Sequence, residues 1–183
     1  MKKKKRNFDA RFWSGKKKHS ARELLEAFFQ FNDLTMVKQE LNTMVQCSVQ
    51  KKARITDHPA DVFHLHQSLR SLIRVGYLIG KNSKKPVAYP PLEAGSPKPF
   101  IHSLSAEEYR HPALVFRKAF KARSREDLEY FLSTVTYFSL GNLRCEEEKK
   151  IIIPYIHLMK MLDAAWLIVS RTSGGELLTH KTH

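Results

Sequence analysis

The sequence is poor in cysteine, in glycine and in long apolar runs, and each shortage removes a class of protein. Two cysteines in 183 residues, Cys47 and Cys145, cannot build a disulfide framework, and neither belongs to a CxxC or Cys/His ligand spacing. Both read as ordinary reduced thiols, which suits a cytoplasmic compartment. The seven glycines form neither GxGxxG nor GxxxxGK[ST], so no phosphate-cradling loop is expected. The chain opens on a lysine run, but Phe8-Asp9-Ala10-Arg11-Phe12-Trp13 is mixed and Lys16-Lys17-Lys18 follows, which is not a secretory signal. The most apolar window, Met161 to Val169, is too short for a membrane span of roughly 18 residues, so no membrane partner is expected. Strand signals are weak as well. Lys85-Pro86-Val87-Ala88-Tyr89 is too proline-bound for a central strand.

What is abundant is positive charge. The net charge is +14, and its placement is uneven. Residues 1–18 hold nine Lys and Arg against one Asp, a balance of +8. Residues 19–90 balance at +4 (ten against six) and residues 91–183 at +2 (thirteen against eleven). Residues 1–18 therefore read as a basic disordered arm, in which Lys2, Lys3, Lys4, Lys5, Arg6, Arg11, Lys16, Lys17 and Lys18 are candidate nucleic-acid contacts. Such an arm attracts polyanions through salt-dependent phosphate neutralisation and carries no sequence information.

Self-comparison of the remainder shows two related halves. His19, Ala21, Ala27 and Phe28 fall on His111, Ala113, Ala119 and Phe120 at an offset of 92. Glu40 to Val45 fall on Phe131 to Thr136 at 91, which implies one residue lost in the intervening turn. Leu69 to Ile79 fall on Leu158 to Ile168 at 89. The fold class expected is all-α: a bundle of about six helices from two three-helix units, 19–80 and 105–173. A crossover at 81–104 joins them and holds five of the eight prolines; residues 174–183 form a flexible tail.

Local signals place the helices. Ser20-x-x-Glu23 and Ser105-x-x-Glu108 are capping boxes, and Asp33 and Ser124 can cap the helices that follow them. The third helix should start near Pro59 and stop at Gly80 in a left-handed cap. The last helix should break or kink at Pro154. Tyr77 and Trp166 hold matching places and are expected to anchor a shared core. Arg74 and Asp163 also match, and they form an ion pair if the third helices pack across a pseudo-two-fold axis.

Nine histidines invite a metal reading, but His64-x-His66 on a helix sends its rings to different faces. No metal, cofactor or catalytic residue is assigned. Within the helical region the densest basic face is Arg117, Lys118, Lys121, Arg123 and Arg125, where Arg117 and Lys121 share a helical face. The leading expectation is a non-enzymatic, nucleic-acid-associated accessory protein that binds DNA or RNA through the arm and this face. The alternative is a helical protein-interaction module with a protein partner. A third reading follows from the small helical ribonucleases of the HEPN family, which carry an Arg-x(4–6)-His motif. The nearest approaches here have seven, three and eight residues between: Arg11 to His19, Arg54 to His58, and Arg171 to His180. None fits, so only a diverged member would suit. Oligomeric state is not legible.

Overall fold

A computed structural model describes residues 20–50, 53–82, 101 and 103–172. Among these residues the chain is all-helical: α1 (Ala21–Phe31), α2 (Leu34–Val49), α3 (Pro59–Asn82), α4 (Ala106–Arg110), α5 (Ala113–Ala122), α6 (Arg125–Leu140) and α7 (Glu148–Thr172). The basic arm, most of the crossover and the tail expected at 174–183 lie outside the described residues.

The caps form as their spacing implies. The Ser20 hydroxyl accepts from the Glu23 N–H at 3.2 Å while the Glu23 carboxylate accepts from the Ser20 N–H at 2.9 Å. Ser105/Glu108 and Ser124/Asp127 close the same reciprocal pair at α4 and α6, and Asp33 accepts from the Met36 N–H at α2. Each cap satisfies donors that the first helical turn leaves unpaired.

The helix pairings obey an exchange of α1 with α5, α2 with α6 and α3 with α7. The α1–α3 contact is matched by α5–α7, α1–α7 by α3–α5, α2–α7 by α3–α6, and α2–α3 by α6–α7. The α2–α6 and α3–α7 contacts map onto themselves. Two backbone bonds repeat the relation at atomic level. The Ile55 N–H donates to the Ser139 carbonyl at 2.8 Å, and the Cys145 N–H donates to the Ser48 carbonyl at 2.7 Å. Ser48 and Ser139 are both fully buried, and each turns its hydroxyl onto the carbonyl three residues back.

The register differs from expectation in one place. Both interhelical turns contain two residues, Asn32-Asp33 and Arg123-Ser124, so no residue is lost and the offset is 91 from α1 through α2. Leu24-Leu25 then coincide with Val115-Phe116, all buried, instead of Ala27 and Phe28 meeting Ala119 and Phe120. The identities counted in the primary sequence mattered less than the burial pattern.

α7 touches each of the other six helices, which explains why Met161 to Val169 are apolar or buried all round. It continues as one helix through the buried Pro154, so of the break or kink expected there the break does not occur. Pro154 lies in the second turn of α7, where losing one backbone bond leaves the rest of a well-packed helix intact. By length and composition α7 is apolar enough to cross a membrane, with a mean hydropathy of 1.5 over its best 18-residue window. Sequence inspection undercounted it because outward Ile152, Ile153 and Ile156 add to the inward set. Most of that window is nonetheless buried inside the bundle, as befits a central core helix.

Gly80 does not end α3, which runs on to Asn82. A Cβ at Gly80 would sit 3.2–3.3 Å from backbone atoms of Phe116 and Arg117, so the glycine permits close approach of α3 to α5. Tyr77 is half-buried, edge-on to Phe120 with centroids 5.4 Å apart, and Trp166 is buried.

The expected Arg74–Asp163 pair does not form. Arg74 reaches Glu129 on α6 at 2.9 Å, and Asp163 receives Lys38 of α2 at 2.8 Å and the Ser103 hydroxyl. The two acquire separate partners because α3 and α7 each face the other half's second helix along this stretch.

Candidate nucleic-acid interface

The basic face expected around α5 is divided by its neighbours. Arg117 and Lys121, one turn apart on α5, are exposed and have no ion-pair partner among the described residues. Lys118 is turned toward α4, where Glu107 lies at 3.1 Å and Glu108 at 3.4 Å. The hydrogen bond from Lys118 to Glu107 raises the ammonium above its ordinary range. Arg125, at the start of α6, pairs with Glu126 at 2.7 Å and approaches Glu129 at 3.5 Å, with its guanidinium 5.9 Å from the Tyr77 ring centre. Arg123 follows α5 as its C-cap, half-buried, beside Asp127 and His157. Two of the five cations are thus neutralised internally, and Arg117, Lys121 and Arg123 remain to meet a phosphate.

Sequence reasoning missed the cluster next to this face. Glu108 is buried at 5% exposure and accepts from the Ser105 N–H at 3.0 Å, from Lys160 of α7 at 2.9 Å and from Lys118. Burial alone would raise its carboxyl, but the Ser105 and Lys160 hydrogen bonds and the nearby ammonium charges overcome this and lower it to about 2. On the same helix, burial pushes His157 down, helped by the positive charges of Lys160 and Arg123. The Ser105–Glu108 cap was legible as a local spacing, but Lys118 and Lys160 lie 10 and 52 positions from Glu108, and no local spacing announces them.

The Arg70 and Arg74 guanidiniums converge on Glu129 at 3.2 and 2.9 Å, lowering its carboxyl despite the burial that opposes this. Arg171, buried near the end of α7, donates to the Tyr109 carbonyl at 2.7 Å and stacks 4.5 Å over the Tyr109 ring. These cations hold the bundle together and contribute little to an interface.

The described residues contain seventeen Lys and Arg against fifteen Asp and Glu, a balance of +2, so +12 of the +14 falls on the remaining residues. Lys2 to Arg6, Arg11 and Lys16 to Lys18 lie among them.

Histidine geometry separates as the spacing implies. His66 faces α6, with Nε2 3.4 Å from the Ser133 hydroxyl, whereas His64 lines a groove between α2 and α3. Among the described residues, no three His, Cys, Asp or Glu side chains are placed to hold a metal ion. Arg54, one end of the Arg54/His58 approach to a HEPN-like motif, donates to Asn142 at 2.8 Å. No family model, curated protein or solved structure matches this chain.

Proposed function

We propose that the protein is a non-enzymatic, cytoplasmic accessory factor that associates with nucleic acid, an almost neutral helical body carrying a basic arm. One observation carries this reading: residues 1–18 hold a balance of +8, while the whole described bundle holds +2. A charge so concentrated neutralises several phosphates at once, and each adds affinity through counterion release. Arg117, Lys121 and Arg123 supply a smaller second contact on the body.

The test is anisotropy of labelled DNA and RNA with the full chain and with residues 1–18 deleted. The full chain should bind with a Kd on the order of micromolar at low salt, with log K falling against log salt at a slope of roughly −5 to −8. Deletion of the arm should remove most of the affinity and most of the slope. Equal binding by both forms would reject the arm's role.

A second reading, a helical protein-interaction module, is favoured by Ile152, Ile153 and Ile156, which lie 54%, 46% and 46% exposed along one stretch of α7. Copurification of one stoichiometric protein after nuclease treatment would select it over the first.

A further inference from the structure

Two adjoining hollows of about 280 Å³ each lie between α2 and α3, beside the Asn32-Asp33 turn. Buried Val37, Met44, Val62 and Leu65 give them an apolar floor, while Met36, common to both, is 53% exposed and Phe31 at one lip is 63% exposed. Glu40, Asp57 and Asp61 stand around it, and no Lys or Arg among the described residues lines either hollow. Burial raises the Glu40 carboxyl and the negative charge of Asp61 raises it further, while His64 offsets part of this. The exchange-related places on the other half hold Phe131 and Lys150 in place of Glu40 and Asp61, so this anionic groove is private to the first half.

An occupant that suits this groove brings several cations together with apolar groups. Residues 1–18 bring nine cations interleaved with Phe8, Phe12 and Trp13. Their point of attachment is close. The arm joins α1 at Ser20, α1 is 11 residues long, and its far end, Phe31, is the lip of the groove. That helix spans about 16 Å. Trp13 lies seven residues before Ser20, a reach of up to roughly 24 Å. Tethering also gives the arm an effective concentration of order millimolar, which a free cationic partner rarely matches.

We infer that the α2–α3 groove is the docking place of this chain's own residues 1–18, with the lysines against Glu40, Asp57 and Asp61 and an aromatic side chain over the apolar floor. Resting on the function proposed above, a nucleic acid must then draw the arm off the groove before binding it, and the apparent affinity falls by the undocked fraction.

Carbodiimide coupling of the full chain at low ionic strength tests the docking directly, because it joins neighbouring lysines and carboxylates without any substitution. Amide cross-links from lysines of residues 1–18 should concentrate on Glu40, Asp57 and Asp61. Coupling spread over exposed carboxylates such as Glu126 would overturn the inference. In a mixture of isotopically labelled and unlabelled chains, cross-links should join residues of one copy. Cross-links between copies would give the groove to a second chain's arm and would also overturn it. The variant Glu40→Gln with Asp57→Asn and Asp61→Asn should lose the cross-links and bind short single-stranded DNA about fivefold more tightly. If the cross-links stand while the full chain binds no DNA, the docking holds and the nucleic-acid reading alone fails.

Discussion

The carboxylate of Asp163 lies 2.8 Å from the ammonium of Lys38, with its own side chain fully withdrawn from solvent and that of Lys38 16% exposed. Under the exchange relating the halves, Lys38 corresponds to Glu129 and Asp163 to Arg74, and these two are also paired, at 2.9 Å. The same cross-half contact therefore occurs twice with its polarity reversed. The two contacts share their placement and differ in the sign of each partner, which makes each pair specific to its own side.

Removing one partner of the buried pair should be costly, because it strands a charge away from water. Lys38→Met is expected to lower unfolding free energy by about 3–5 kcal/mol, since the Ser103 hydroxyl alone cannot compensate Asp163. The double variant Lys38→Met with Asp163→Leu should recover most of that. Urea denaturation of the two singles and the double gives the coupling. A loss below about 1 kcal/mol for Lys38→Met would show that the pair is solvated in solution.

Glu108 sets a pH dependence whose sign follows from its lowered carboxyl. In the folded chain it gives up its proton at about 2, against an ordinary 4.5. The folded state thus holds this proton less readily than the unfolded one. Its contribution, on the order of 3 kcal/mol, is complete above pH 4.5 and is lost as pH falls from there through about 2. Glu108→Gln should destabilise the chain at pH 7 and flatten the fall in stability over that acid window, as read from denaturation midpoints at pH 7, 4 and 3.

Gly76 is held by packing alone. A Cβ there would meet the Phe116 ring at 2.6 Å and the Met161 methyl at 2.8 Å, both from fully buried side chains. Alanine in an open helix would gain about 1 kcal/mol over glycine. Here Gly76→Ala should instead cost about 1–3 kcal/mol by overpacking. Phe116→Leu in the same chain should relieve part of the loss, measured by thermal unfolding.

The divided basic face predicts two kinds of phenotype. Arg117→Ala with Lys121→Ala should weaken DNA binding about two- to fivefold and reduce the salt slope by roughly 1–2. Lys118→Ala and Arg125→Ala should leave binding within a factor of about two and lower the thermal midpoint. Equal losses of affinity in all four would return the face to a single patch.

Much of the architecture was legible because its causes are local. Caps at Ser20, Asp33, Ser105 and Ser124 and apolar spacing at 3.6 residues specify helices wherever they occur. Gly80 as a helix stop and the break expected at Pro154 failed because each local rule assumes an isolated helix. In the bundle Gly80 answers to the backbone of α5, and the packing of α7 outweighs one missing hydrogen bond.

The amino-acid order by itself determined that this chain forms helices, where most of them begin, and that its charge gathers at one end. Only the tertiary structure decided which charges meet. Arg74 and Asp163 were parted, Glu108 was surrounded by Lys118 and Lys160, and Glu40 and Asp61 came to line a groove that no Lys or Arg among the described residues shares. The physical reason is range. Caps and periodicity act within a few residues, whereas an ion pair or a hollow depends on how whole helices cross, and that is set by the summed packing of the core.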